Sequence, residues 1–491
     1  MAEMTAVRSA YFWAGAGNIV KAALTFGLSI LLARLLDPSH YGLIGVVMAF
    51  VNILMVIQDA GLGQAVVYFD ETEDTLPTYH TVTVLSGVVL TALTALIGPA
   101  LAWFYNMPEL TVLAPVMGLS LILGGLRSVP QGLLMKELRF KELALIETVA
   151  GVAAGVVAVL LALAGAGVWS LVANILLGAG VQTWWTCRLR PAGYTRRWKP
   201  EVVRRALDFG LPLTGSRVLW QAYLNSDAMI IGKMLGEAPL GYYSYALRLA
   251  RFLSERVFGI VNRVSFPSFA SMKDDRPRLL YHWLLLTEVL ALIQFPAMLA
   301  LAMNAEDFVL VVLGDKWLPA ALPLRLLCAA EAIRSVQVIM PPLLSAVGRT
   351  DLVLRYNVVN AIALPAAFAA GCHFGGLAGV GAAWVTIYPV LAIHLLKYTV
   401  SVCGGSYWGY LRSLRAPLLV TASCLAAMLP FDWLLAAGWE RLTVRCAAGG
   451  ACYLFCLGGL PGVRRRVLEI ARGGRRAPNA PSVVGAKVED A

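Results

Sequence analysis

Runs of about 20 apolar residues recur along the chain, each long enough to cross a bilayer as a helix. The pattern predicts spans near 11–33, 42–67, 80–104, 111–134, 144–164, 167–187, 207–231, 241–265, 281–303, 317–346, 353–372, 376–397, 413–430 and 441–460. Most intervals between them are short. The pair 207–231 and 241–265 stands out, because Arg217, Asp227, Arg248, Arg251, Glu255 and Arg256 interrupt its apolar runs. An ionisable group at membrane depth costs about 2.5–3.5 kcal/mol on insertion scales, so these side chains are expected to face a cavity or a partner. The pair reads as part of a polar path rather than as an anchor.

The longest internal loop, 188–206, is basic and separates two sets of six spans. Internal similarity accompanies that division. LARLLDPSHYGL at 32–43 parallels IGKMLGEAPLGYY at 231–243, with Gly42 aligned to Gly241. LLMKELR at 133–139 parallels LLSAVGR at 343–349, and GAGVWSLV at 165–172 parallels FGGLAGVG at 374–381. An even number of spans per copy makes the copies parallel, related by an axis along the membrane normal. The expected organisation is an N-terminal six-helix lobe at 1–187, a cytoplasmic basic linker at 188–206, and a second six-helix lobe at 207–400. Two additional transmembrane helices follow at 401–460, then a basic, disordered cytoplasmic tail at 461–491.

Composition settles the class. The 491 residues are 59% hydrophobic and 14% charged, with a mean hydropathy of +0.72. A soluble chain carries about 25% charged residues. The fold class is therefore an all-α polytopic membrane protein of about 14 transmembrane helices. The net charge of +11 comes from basic residues scattered between apolar segments, so topology and anionic lipids explain it better than nucleic acid. Lys136, Arg139 and Lys141, the 188–206 cluster, Lys273, Arg276 and Arg278, Arg349 and Arg355, and Lys397, Arg412 and Arg415 all fall on one side. Arg34, Lys233, Lys316, Arg441 and Arg445 fall on the other. That asymmetry places both termini in the cytoplasm. The first apolar segment lacks the short core and cleavage site of a signal peptide and is expected to stay as a span.

Enzymatic and metal signals are weak. The eight cysteines form no CxxC or Cys/His metal spacing and read as apolar packing residues, Cys452 and Cys456 sharing one helix face. The five histidines are scattered near span ends. No GxxxxGK[ST] sequence is present. External loops are short, the longest lying around 304–317. No cofactor, metal or catalytic residue is expected, and transport is favoured over covalent catalysis.

The buried charges are the candidate chemistry. Lys21 in the first span and Arg217 in the seventh sit at similar depth, near the duplication offset, and are expected to face a common cavity. Arg248, Arg251 and Glu255 share a helical face. Intramembrane cations, among them Arg127, Arg256, Arg263, Arg325 and Arg334, outnumber the clear acids, which suits an anionic substrate because guanidinium forks match phosphate oxygens. The substrate set is thus Lys21, Arg217, Arg248 and Arg251. Asp59, Asp227 and Glu288 are candidates for ion coupling. Glu331–Arg334, Glu147–Arg127 and Glu255–Arg251 read as structural charge pairs. Gly210, Pro212 and prolines within later spans supply kinks suited to rocking motions.

Six stretches together resemble a known family. They are LARLLDPSHYGLIGV (32–46), QDAGLGQAVV (58–67), LLMKELRFKELALIET (133–148), SDAMIIGKMLGEAPLGYYSYA (226–246), RVSFPSFASMKDD (263–275) and FVLVVLGDKWLPAALPLRLLCAAEAIRSV (308–336). In this order they resemble the polysaccharide transporter branch of the multidrug/oligosaccharidyl-lipid/polysaccharide flippase superfamily, of the colanic-acid-exporter type. The resemblance implies a MATE-like fold of two lobes. It also implies movement of undecaprenyl-pyrophosphate-linked oligosaccharides across a bacterial inner membrane, beside a polysaccharide polymerase and chain-length machinery. The matched stretches assign no cavity residue: Lys21 and Arg217 lie outside them, and Asp227 lies within one without a given role. A cation-coupled drug antiporter of the same fold is the alternative, and its cavity should be net acidic. A membrane glycosyltransferase or polymerase should carry a large external catalytic loop. A reporter fused at residue 190 is expected to signal from the cytoplasm; an external signal there reverses the topology.

Overall fold

The computed structural model describes residues 22–59, 62, 75–195 and 199–459. Lys21, the acidic turn at 70–74 and the tail expected at 461–491 lie outside the described residues, as do the side chains of Arg256 and Arg263. Each expected span overlaps a helix. Nine helices are long and apolar enough to cross a membrane among the described residues. The first span is seen as Ala22–Leu35 (α1). Then come Pro38–Asp59 (α2), Leu76–Tyr105 (α3), Leu110–Lys136 (α4), Phe140–Leu163 (α5), Val168–Leu189 (α6), Pro200–Met234 (α7) and Glu237–Ala270 (α8). The remainder are Arg276–Met303 (α9), Ala321–Gln337 (α10), Met340–Ala346 (α11), Thr350–Cys403 (α12), Tyr407–Ser413 (α13), Arg415–Met428 (α14) and Trp439–Gly459 (α15).

Local chemistry sets the boundaries. Pro200 opens α7 from the first turn, where its missing N–H costs nothing, so this helix begins inside the stretch expected as linker. Asp275 caps α9 by accepting from Arg278 N at 3.1 Å. Gly376 (φ 55°) turns α12 back on itself, making two spans of one 54-residue element. Asn106, also at positive φ, closes α3.

The chain divides into two compact units, each gathered from separate stretches. Unit 1 takes in Met1–Leu249, Phe308–Leu327 and Leu354–Leu391; unit 2 takes in Ala250–Asp307, Cys328–Val353 and Ala392–Ala491.

In unit 1, helices approach closely where small residues allow it. Between α3 and α4, a Cβ on Gly118, Gly125 or Gly87 would collide with Thr94, with the Thr83 carbonyl, or with the Leu121 carbonyl. Thr91 donates to Gly118 O at 2.7 Å and Thr83 to Gly125 O at 3.1 Å across the same seam. With lipid as apolar as leucine, such close packing and interhelical hydrogen bonds hold helices together.

A second seam joins the starts of α2 and α8. A Cβ on Gly42 would stand 1.8 Å from Glu237 O, and a Cβ on Gly241 would stand 1.8 Å from Pro38 O. The two contacts map onto each other: Gly42 to Gly241 and Pro38 to Glu237 are separated by the same number of residues. Gly45 and Ser244, related by that spacing too, face each other at 3.0 Å. The two stretches aligned by internal similarity thus pack reciprocally, as a local two-fold axis requires.

The stretch 304–317, expected as an external loop, is folded. Residues 305–308 are helical, 309–313 form a π-turn and 315–320 a 3-10 turn. Within unit 1, Trp317 is fully buried and donates to Ala33 O at 2.8 Å, while Arg34 Nε donates to Val312 O at 2.7 Å. The described part of the linker is tied down as well. Arg190 pairs with Glu137 at 2.7 Å, Thr195 N donates to the Thr81 hydroxyl at 3.1 Å, and Tyr194 packs on His80.

In unit 2, the two additional helices expected at 401–460 pack through Val420 and Cys424 on α14 and Leu292 on α9. Asp307, 1% exposed, accepts a bidentate pair from Arg441 at 2.7 Å each, the Gly438 N–H at 2.9 Å and Arg445 at 3.4 Å. Arg445, itself 2% exposed, also pairs with Asp432 and donates to Met303 O. Arg441 and Arg445, expected on the outer side, clamp the last hairpin.

Gly42→Ala and Gly241→Ala are each expected to destabilise the detergent-solubilised protein by about 1–3 kcal/mol or to prevent folding, as overpacking does. Gly27→Ala, whose Cβ meets nothing within 4 Å, is the neutral control. Thermal unfolding of the three variants checks this.

Candidate functional site

Unit 1 holds a half-open cavity of about 340 Å³ between α2, α4 and α6, whose largely apolar wall carries a few polar groups. Its lining includes Gln58 and Asp59 from α2, Arg127, Ser128 and Gln131 from α4, and Thr183 from α6. Gly124 and Gly125 open the space on α4: a Cβ at either would press on the Gln58 amide at 3.1 Å or 2.9 Å. The Ser128 hydroxyl donates to Asp59 Oδ1 at 2.8 Å. Arg127 donates to the Gln182 side-chain oxygen and lies within electrostatic range of Glu147. The cavity therefore holds one acid and one base, each half-buried and hydrogen-bonded. Sequence reading assigned Asp59 to coupling and Arg127 to a structural pair; it did not anticipate that they line the same cavity.

Asp227 lies elsewhere in unit 1, 1% exposed. Tyr243 donates its hydroxyl to Oδ2 at 2.7 Å, and Trp384 Nε1 lies 3.3 Å from the same oxygen and 2.8 Å from the Tyr243 hydroxyl. The backbone N–H of Ala228 reaches Oδ1 at 2.7 Å. Protein donors thus surround this carboxylate on both oxygens. Trp384 is 157 residues away along the chain, so no local pattern announced it.

Arg217 sits half-buried on α7, beside Ser216, whose hydroxyl accepts from Asn357 at 3.1 Å. Arg248 is exposed on α8 and within electrostatic range of Tyr41 and Tyr245. Tyr41 meets Tyr245 and Trp317 edge-on, at centroid separations of 5.2 and 5.4 Å, and Tyr245 lies tilted against Trp317 at 4.8 Å. Lys21 lies outside the described residues.

In unit 2, Glu331 is 3% exposed and accepts from two guanidinium groups: Arg251 Nε at 3.3 Å and Arg334 Nη1 at 3.1 Å. Arg334 also lies over the Phe258 ring at 5.8 Å. The partner of Arg251 is therefore Glu331, not Glu255, which is exposed. One helical turn makes Glu255 reachable along the chain, but the buried acid comes from α10. Arg251 thus pairs with the acid of α10 through Nε, while its buried Nη2 makes no hydrogen bond among the described residues. Glu288 is buried on α9.

The family profile described as polysaccharide biosynthesis protein matches residues 31–322. The teichuronic acid biosynthesis protein TuaB of Bacillus subtilis is 28% identical over 426 residues, covering 82% of this chain and 85% of TuaB. The lipopolysaccharide biosynthesis protein WzxC of Escherichia coli is 27% identical over 430 residues, 84% of this chain and 85% of WzxC. The succinoglycan biosynthesis transport protein ExoT of Rhizobium meliloti is 30% identical over 405 residues, 79% of each chain. Among solved structures, the lipid II flippase MurJ in an inward closed conformation superposes with a TM-score of 0.71 at 13% identity, over 92% of this chain and 99% of that one. An inward-facing multidrug resistance MATE family transporter of the MOP superfamily gives 0.61 at 16% identity, over 80% and 94%. These two likenesses show the fold, an all-α, MATE-like arrangement of membrane helices.

Removing one member of a buried ion pair leaves an uncompensated charge and costs about 3–5 kcal/mol. Glu331→Gln is expected to lower stability by about 3 kcal/mol on that basis, whereas exposed Glu255→Gln stays within about 0.5 kcal/mol. Equal melting shifts for the two would return the pairing of Arg251 to Glu255.

Proposed function

The chain belongs to the family of polysaccharide biosynthesis proteins, and on that premise we propose that it carries lipid-linked oligosaccharide repeat units across a membrane for polysaccharide export. It is a flippase of the Wzx type within the MOP superfamily, a transporter and not an enzyme. The observation that carries this reading is the family match over residues 31–322, joined by relatives that align along about four fifths of the chain and include a succinoglycan transport protein. The likeness in fold to a lipid II flippase supports it.

The finer reading takes undecaprenyl pyrophosphate as the lipid carrier and the bacterial inner membrane as the location, with both termini cytoplasmic. Its support is the basic asymmetry of the loops and the excess of intramembrane cations. Lys21, Arg217 and Arg248 receive the pyrophosphate, whose oxygens accept from guanidinium and ammonium donors. The polyprenyl tail stays in the bilayer while the headgroup crosses by alternating access between lobes 1–187 and 207–400. Asp59 is the acid we assign to coupling, because it lines a cavity with room for an ion, whereas Asp227 is already surrounded by donors. The polysaccharide polymerase and chain-length machinery are the expected partners.

Arg217→Glu and Lys21→Glu are each expected to reduce export of polysaccharide at least about tenfold in a flippase-deficient host, since one adverse contact of 1.4 kcal/mol suffices for that factor. Membrane abundance should be unchanged. Full export by both variants refutes the cationic path.

A further inference from the structure

Unit 2 holds a second cavity, of about 390 Å³, lined by Lys273, Arg276, Leu279, Val347, Arg349, Ser401 and Val402. Four helix ends converge on it: the first turn of α9, the end of α11, the start of α12 and its last turn. Helix ends in a membrane protein lie at the lipid–water boundary, where headgroups are. Three cations share this hollow. Among the described residues, neither Lys273 nor Arg276 has an ion pair, while Arg349 is held by Asp351 at 3.1 Å. The nearest acid in sequence to Arg276 is engaged elsewhere, because Asp275 caps α9. Leu279, Val347 and Val402 contribute the smaller, apolar share of a mainly polar lining.

We propose that this cavity binds a phosphate group, that of an anionic lipid headgroup. Phosphate oxygens accept from the Lys273 ammonium, the Arg276 and Arg349 guanidinium groups and the Ser401 hydroxyl, while Leu279, Val347 and Val402 meet the first methylenes. A free phosphate ion satisfies the same donors, but the position among converging helix ends, where headgroups lie, favours the lipid. The site is separate from the residues assigned to the transported substrate. Basic residues near a membrane surface attract anionic lipid with an effect of about fivefold each in affinity.

The test uses the full-length protein in neutral detergent, titrated with short-chain phosphatidic acid, with phosphatidylcholine of the same chain length, and with inorganic phosphate. Phosphatidic acid is expected to bind and raise the melting temperature, with phosphatidylcholine inert. Lys273→Ala and Arg276→Ala each weaken binding about fivefold, while Lys397→Ala, outside the cavity, leaves it unchanged. Inorganic phosphate binding as tightly, with the same losses in the variants, keeps the site and makes the free anion its occupant. Wild-type affinity in both cavity variants, an equal loss in Lys397→Ala, or no binding of either anion overturns the proposal. The exposed positions of Lys273 and Arg276 keep the variants folded. Because the readout is binding, its failure leaves the flippase reading intact.

Discussion

Helices in a bilayer gain nothing from hiding apolar surface from lipid, so each contact between them must come from close packing or from polar groups. The arrangement described above follows from that constraint. Where backbones meet, glycine stands at the point of contact: Gly42 against Glu237, Gly241 against Pro38, Gly118 and Gly125 against α3. Several buried polar groups are gathered into sets: Asp227 with Tyr243 and Trp384, Glu331 with two arginines, Asp307 with Arg441 and Arg445. Each set joins stretches far apart in sequence and fixes their register. Apolar shape alone leaves a helix free to rotate; a carboxylate between two guanidinium groups does not.

The same constraint separates what was legible in the sequence from what was not. Apolar run length placed the spans, because a bilayer-crossing helix needs a minimum length whatever its neighbours. The family was legible too, through motifs at helix ends where turns and small residues recur. Pairing was the part that stayed hidden. Sequence neighbours suggested Arg251 with Glu255, since both lie on one helix face; burial then favoured Glu331, 80 residues along. Arg441 and Arg445 looked like loop charges because they follow a polar turn, and Asp307, their partner, comes from a stretch read as a loop. Proximity in sequence predicts contacts within one helix, whereas the expensive charges are neutralised between helices.

Charge also gathers in two cavities. Asp59 and Arg127 share a cavity in unit 1, and Lys273, Arg276 and Arg349 share one in unit 2 at helix ends. The first offers one acid and one base with hydrogen-bonding amides, suited to something small that comes and goes. The second offers three cations and a serine hydroxyl in a mainly polar lining, suited to an anion held at helix ends.

The reciprocal crossing of Gly42 and Gly241 has a practical bearing on hybrid proteins. A chimera that takes residues 1–187 from this chain and the rest from a relative inherits one half of a lock whose other half was shaped elsewhere. Any side chain at the position of Gly241 in the donor strikes the carbonyl of Pro38. Grafts therefore need to carry the short stretch Glu237–Gly241 with the N-terminal portion, although it lies beyond the basic linker that looks like the natural place to cut.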